Sequence, residues 1–195
     1  MKPSKLYIKK TIIGINNTKF LGQKYKLEDP CSKKLAKLSS SCYLARRIYP
    51  CCKSNSLKMI YFTYFRAVME YGIIFWGNSV ESKRIFQQQK RIIRIMTGST
   101  SRISCKTLFQ KLEILTLTSQ YILSLMRFLS SNLEIFKLNT SVHNINTRRK
   151  LKLHKPAARL TMYQRSVYYN SINIYNILPD ELVELVLNKK CFLLQ

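Results

Sequence analysis

Lys83, Lys90, Arg91 and Arg94 stand in a run whose apolar residues recur every three or four positions. At 100° per residue, Ile85, Phe86, Gln89, Ile92, Ile93 and Met96 fall on one side of a helix. The four cations fall on the other. Cationic side chains set out in this way neutralise phosphates and release counterions. They hold a nucleic-acid backbone without reading its sequence. A second cationic set, Arg148, Arg149 and Lys150, stands in a polar stretch with little periodicity. Between Glu81 and Glu113 there are eight basic residues and no acid, and between Glu134 and Asp180 eight more and again no acid. The plainer reading of such blocks is a solvated surface. Their length favours binding.

The acids point away from catalysis. Nucleotidyl transfer by two metal ions needs carboxylates that converge on both. The chain has two aspartates, Asp29 and Asp180, and neither neighbours another. Glu28-Asp29 reads as a turn, and Asp180-Glu181 as the first turn of a helix, where the dipole favours acids. There is no phosphate-cradling glycine loop. His143 and His154 have no carboxylate or thiol partner in sequence. The six cysteines include no Cys-x-x-Cys pair, so a zinc or disulfide framework is not indicated. Reduced cysteines in a cytoplasmic or nuclear protein are the expectation. No metal site and no cofactor is expected, and the chain is read as non-enzymatic.

The elements that must position the cations are mostly helical. Only residues 5–22 are β-prone, with Asn16-Asn17 as a turn signal, and a short N-terminal β-hairpin is expected there. A helix is expected over 32–49, stopped by Pro50, with Leu35, Leu38, Cys42 and Ala45 inward. Another is expected over 56–75, with Leu57, Ile60, Tyr64, Val68 and Tyr71 as its apolar face. The basic helix should run over 79–97 and end at Gly98. Short and long helices follow over 104–112 and about 118–133, the latter capped by Thr118 or Ser119. Residues 139–161 read as a loop or arm, residues 163–177 as a helix, and Pro179-Asp180-Glu181 as the start of a last one. The organisation expected is therefore a hairpin remnant over 1–22, a helical thumb-like domain over 32–136, a basic irregular arm over 137–162 and a C-terminal helical segment over 163–195. The fold class is mainly α.

Composition agrees with a polyanion as partner. The net charge is +25 over 195 residues, with 46% hydrophobic residues, enough for a core. A folded chain with this charge repels itself unless anions neutralise it. Nucleic acid leads as partner, ahead of an anionic membrane surface and an acidic protein. No secretory signal and no 18-residue apolar run is seen, so the chain is expected to be neither secreted nor membrane-spanning.

Tyr71-Gly72-Ile73-Ile74-Phe75-Trp76-Gly77-Asn78-Ser79 and Gln89-Lys90-Arg91-Ile92-Ile93-Arg94-Ile95-Met96 resemble the region downstream of the active site in jockey-type insect non-LTR retrotransposon reverse transcriptases. Thr18-Lys19-Phe20-Leu21-Gly22 is similar to the strand after the palm, and Lys37-Leu38-Ser39-Ser40-Ser41-Cys42-Tyr43 to the first thumb helix. Ser104-Cys105, Leu112-Glu113-Ile114-Leu115-Thr116-Leu117, His143-Asn144-Ile145-Asn146-Thr147-Arg148 and Tyr175-Asn176-Ile177-Leu178-Pro179 continue the series in the same order. The family's palm aspartates have no counterpart here. The link between Gly22 and Leu35 is short, without the tryptophan and histidine usual there, and Thr118 stands where proline is frequent.

The resemblance implies a truncated, inactive RNA-directed DNA polymerase fragment. It would keep a non-specific grip on RNA or DNA held as a primer–template-like duplex. Two other readings stay open: a transposon remnant without function, and a domesticated module that binds a protein through aromatic residues around Tyr64, Phe75 and Trp76.

Overall fold

In the computed structural model the described residues are 18–20, 23–25, 30–51, 54–143 and 152–187. The protein is mainly α. Two three-residue strands, β1 (Thr18–Phe20) and β2 (Gln23–Tyr25), pair antiparallel with Thr18 opposite Tyr25. The hairpin expected over 5–22, turned at Asn16-Asn17, is not supported. Thr18–Phe20 pairs forward instead, and residues 1–17 lie outside the described residues.

Helix α1 (Pro30–Ile48) opens on a proline, which suits a first helical position because no backbone N–H is needed there. It buries Leu38, Cys42 and Ala45 against α5 (Ser82–Thr97), the most extensive helix pair of the fold. Between them in sequence, α2 (Ser54–Ile60) passes through a π-helical turn (Tyr61–Arg66) into α3 (Ala67–Glu70).

That turn corrects the expected apolar face. Leu57, Tyr61, Phe65 and Met69 are buried, each four residues from the last, while Tyr64 and Tyr71 are exposed and Ile60 and Val68 half-buried. In a straight α-helix a spacing of four drifts by about 40° per step. The wider i→i+5 winding of the π turn offsets the drift, so all four stay on one side. The expected helix over 56–75 is also broken. Gly72 has φ 65°, in the left-handed region glycine reaches without strain, and it redirects the chain into α4 (Ile73–Trp76).

Helix α6 (Cys105–Leu112) starts at Ser104, whose hydroxyl accepts from the Lys106 N–H. Helix α7 (Leu117–Ser131) is capped by Thr116, not by Thr118 or Ser119; the Thr116 hydroxyl accepts from the Ser119 N–H at 3.3 Å. The cap thus lies two residues before Thr118 and three before Ser119. The stretch read as an arm contains α8 (Asn139–His143), and Leu138 bridges to Leu153. Asn176 clamps Leu153 through both backbone groups: its Oδ1 accepts from the Leu153 N–H at 2.9 Å, and its Nδ2 donates to the Leu153 carbonyl at 3.0 Å. The helix expected over 163–177 is two, α9 (Thr161–Gln164) and α10 (Val167–Ile177), because Ser166 caps the second by accepting from the Tyr169 N–H. Helix α11 (Asp180–Leu187) closes the described chain.

Helix α7 packs against α4, α10 and α11. The core is continuous from Leu38 in α1 to Val186 in α11. One polar side chain ties its centre. Gln89 is fully buried on α5; its Nε2 donates to the Tyr61 hydroxyl and to the Leu115 carbonyl, both at 2.9 Å. Its Oε1 accepts from the Leu117 N–H at 2.8 Å. The π turn, α5 and the start of α7 therefore share one fully bonded amide.

The same core makes the fold sensitive to alkali. Burial pushes the Cys42 thiol from 9.0 up to about 11, against the pull of Arg91 and Arg46. Burial likewise pushes the Tyr61 and Tyr121 phenols from 10.0 up to about 12, with the bond from Gln89 opposing the rise at Tyr61. Above pH 9 the unfolded chain loses these protons before the folded one does, so it binds fewer and the slope of stability with pH is negative. The contribution is complete below about pH 9 and lost as pH rises toward 12. A lower urea midpoint at pH 11 than at pH 8 is expected.

Candidate nucleic-acid interface

The burial of Ile85, Gln89, Ile92, Ile93 and Met96 fixes which side of α5 faces solvent. Gly98, with φ 63°, ends the helix by donating its N–H to the Arg94 and Ile95 carbonyls. Lys83 and Arg91 are exposed, and Lys90 and Arg94 half-buried. Lys83, Lys90 and Arg94 lie along one line, roughly 16 Å from first to last at 1.5 Å per residue. That is about the axial rise covered by five phosphates of one duplex strand. Arg91 stands beside the line on the next turn of the wheel.

Each cation is held differently. The Lys90 ammonium sits 4.4 Å from the centre of the Phe86 ring. This cation–π contact steadies it without neutralising it. Arg94 donates from Nη2 to the Ile103 carbonyl at 3.2 Å, so it braces the loop before α6 as well as facing outward. Its Nε is buried and has no hydrogen-bond partner among the described residues. Among the described residues the ion pairs are Arg66–Glu70 and Arg84–Glu81, the latter at 3.1 Å. Arg84 is thus partly neutralised, while Lys83, Lys90, Arg91 and Arg94 have no carboxylate partner among those residues. Arg148, Arg149 and Lys150 lie outside the described residues.

The fold adds residues that the acid-free blocks did not single out. Arg46, in the last turn of α1, comes beside Arg91 because α1 lies along α5. Both guanidinium groups act on the same buried thiol, Cys42, whose Sγ donates to the Gln88 carbonyl at 3.7 Å. The signal in sequence was the pair Arg46-Arg47 at a helix end, but only the packing of α1 on α5 gives it a place.

Two clefts flank Arg94. One, of about 750 Å³, is bordered by Lys90, Arg94 and Lys106 over Phe86 and Phe109, with Glu113 also in its wall. The other, of about 410 Å³, is bordered by Arg46, Tyr49, Arg91, Arg94, Ser99 and Ser101.

The aromatic residues divide. Tyr64 and Phe75 are exposed, whereas Trp76 is 3% exposed and belongs to the core. Among the described residues no group of three or more His, Cys, Asp or Glu could hold a metal ion, and no helix is long and apolar enough to cross a membrane. No family model, curated protein or solved structure gives a match to the chain.

Proposed function

We propose that the protein is a non-catalytic portion of a jockey-type non-LTR reverse transcriptase that grips RNA or DNA through the outer face of α5. In this reading α1 to α5 form a thumb-like bundle, and a primer–template-like duplex lies along Lys83, Lys90 and Arg94 with Arg91 beside them. The observation that carries it is this line of cations without carboxylate partners among the described residues, on the face turned away from the core. The collinear order of the resembling segments supports the family. Backbone contacts of this kind give affinity and orientation but no base specificity.

Lys83, Lys90 and Arg91 are the residues to change, because Arg94 also braces the Ile103 carbonyl. K83Q/K90Q/R91Q is expected to bind an RNA–DNA hybrid about 30-fold more weakly at roughly 0.1 M salt, with a salt slope shallower by about three. Unchanged affinity in a folded triple variant would refute the assignment.

A second reading, docking of a protein partner, draws on the exposure of Tyr64, Tyr71 and Phe75. Y64S/F75S abolishing a protein contact while leaving nucleic-acid affinity intact would favour it.

A further inference from the structure

We propose that the 410 Å³ cleft between the end of α1 and the end of α5 receives a phosphomonoester, carried either by the end of a nucleic-acid strand or by a free nucleotide. Three arginines border it, and none of its bordering residues is an acid. Arg46 reaches it from α1, and Arg91 and Arg94 from α5. Guanidinium forks match phosphate geometry in a way that a lysine does not. Holding three guanidinium groups together without an anion is unfavourable, so a bound dianion relieves the cleft as well as the ligand.

The charge of the cleft favours an end over an internal phosphate. An internal phosphodiester carries one negative charge and a sugar on each side. A phosphomonoester has a second ionisation near pH 6, carries close to two charges at neutral pH and exposes three oxygens. Tyr49 is 41% exposed at the border, where its ring can stack on the attached base. Gly98 lets the tip of Tyr49 lie against the end of α5: a Cβ there would collide with the Tyr49 hydroxyl.

The ligand class rests on the nucleic-acid reading of this face, and the test separates the two. The full chain is titrated, at roughly 0.15 M salt, with three internally labelled single strands of one sequence. One has a 5′-phosphate, one a 3′-phosphate, and one hydroxyls at both ends. One phosphorylated strand is expected to bind about tenfold more tightly than the hydroxyl strand. R46Q should bring its affinity down to that of the hydroxyl strand, while R46K, which keeps the charge, should retain part of the preference. Equal binding of all three strands overturns the cleft proposal and leaves the grip along α5 standing.

A nucleoside 5′-monophosphate, titrated alone, distinguishes the sources. Binding as tight as that of the phosphorylated strand assigns the cleft to free nucleotides, and binding tenfold weaker assigns it to strand ends. If no strand binds, the grip reading fails. The monophosphate then decides the cleft by itself: saturable binding lost in R46Q sustains the proposal, and no binding ends it.

Discussion

Trp76→Ala is expected to destabilise the protein by about 4 kcal/mol, the range for removing a buried tryptophan. The indole is 3% exposed, and its Nε1 donates to the Tyr71 carbonyl at 3.1 Å. The Lys34 ammonium lies 4.9 Å from its ring centre and bonds the same carbonyl. Truncation therefore leaves a void between α1, α4 and α7 and loosens the Tyr71-Gly72 turn. Trp76→Phe keeps most of the volume but loses the donor, and should cost about 1–2 kcal/mol. Urea unfolding measures both. A loss under 1 kcal/mol for the alanine variant would mean that this segment is not part of the core. The burial of Trp76 and its bond to Tyr71 give this segment a structural role.

Gln89→Leu should cost about 3 kcal/mol although the replacement is apolar and close in size. The loss leaves the Leu117 N–H, the Leu115 carbonyl and the Tyr61 hydroxyl without their shared partner in a dry interior. A double-mutant cycle with Tyr61→Phe isolates one arm: the penalty of Gln89→Leu should shrink in the Tyr61→Phe background by about 1 kcal/mol. Strictly additive changes would show that the bond contributes nothing.

The helix that carries the proposed site was legible because its signal is local. The period of its apolar residues, the cations opposite and Gly98 at its end all lie within one run, and the structure differs only in starting α5 at Ser82 rather than Ser79. There the Ser82 hydroxyl and N–H both bond the Ser79 carbonyl and hold the chain in a turn before the helix begins. The face of the preceding helix was misread, since a period of 3.6 assumes α winding throughout and the π turn at Tyr61–Arg66 is invisible to it. Gly72 was absorbed into that helix for the same reason. The place of Gln89 on the apolar side was readable, but its three bonds connect residues 26 to 28 positions away, which periodicity does not see. Arg46 was missed because a basic face made from two helices exists only after they pack.

The most direct test of the phosphate grip is a titration of the purified chain with a labelled RNA–DNA hybrid at several salt concentrations. With Lys83, Lys90, Arg91 and Arg94 each meeting a phosphate, the logarithm of affinity should fall linearly with the logarithm of salt, with a slope of about −3 to −4. A well-folded sample that does not bind, or binds without dependence on salt, would contradict it.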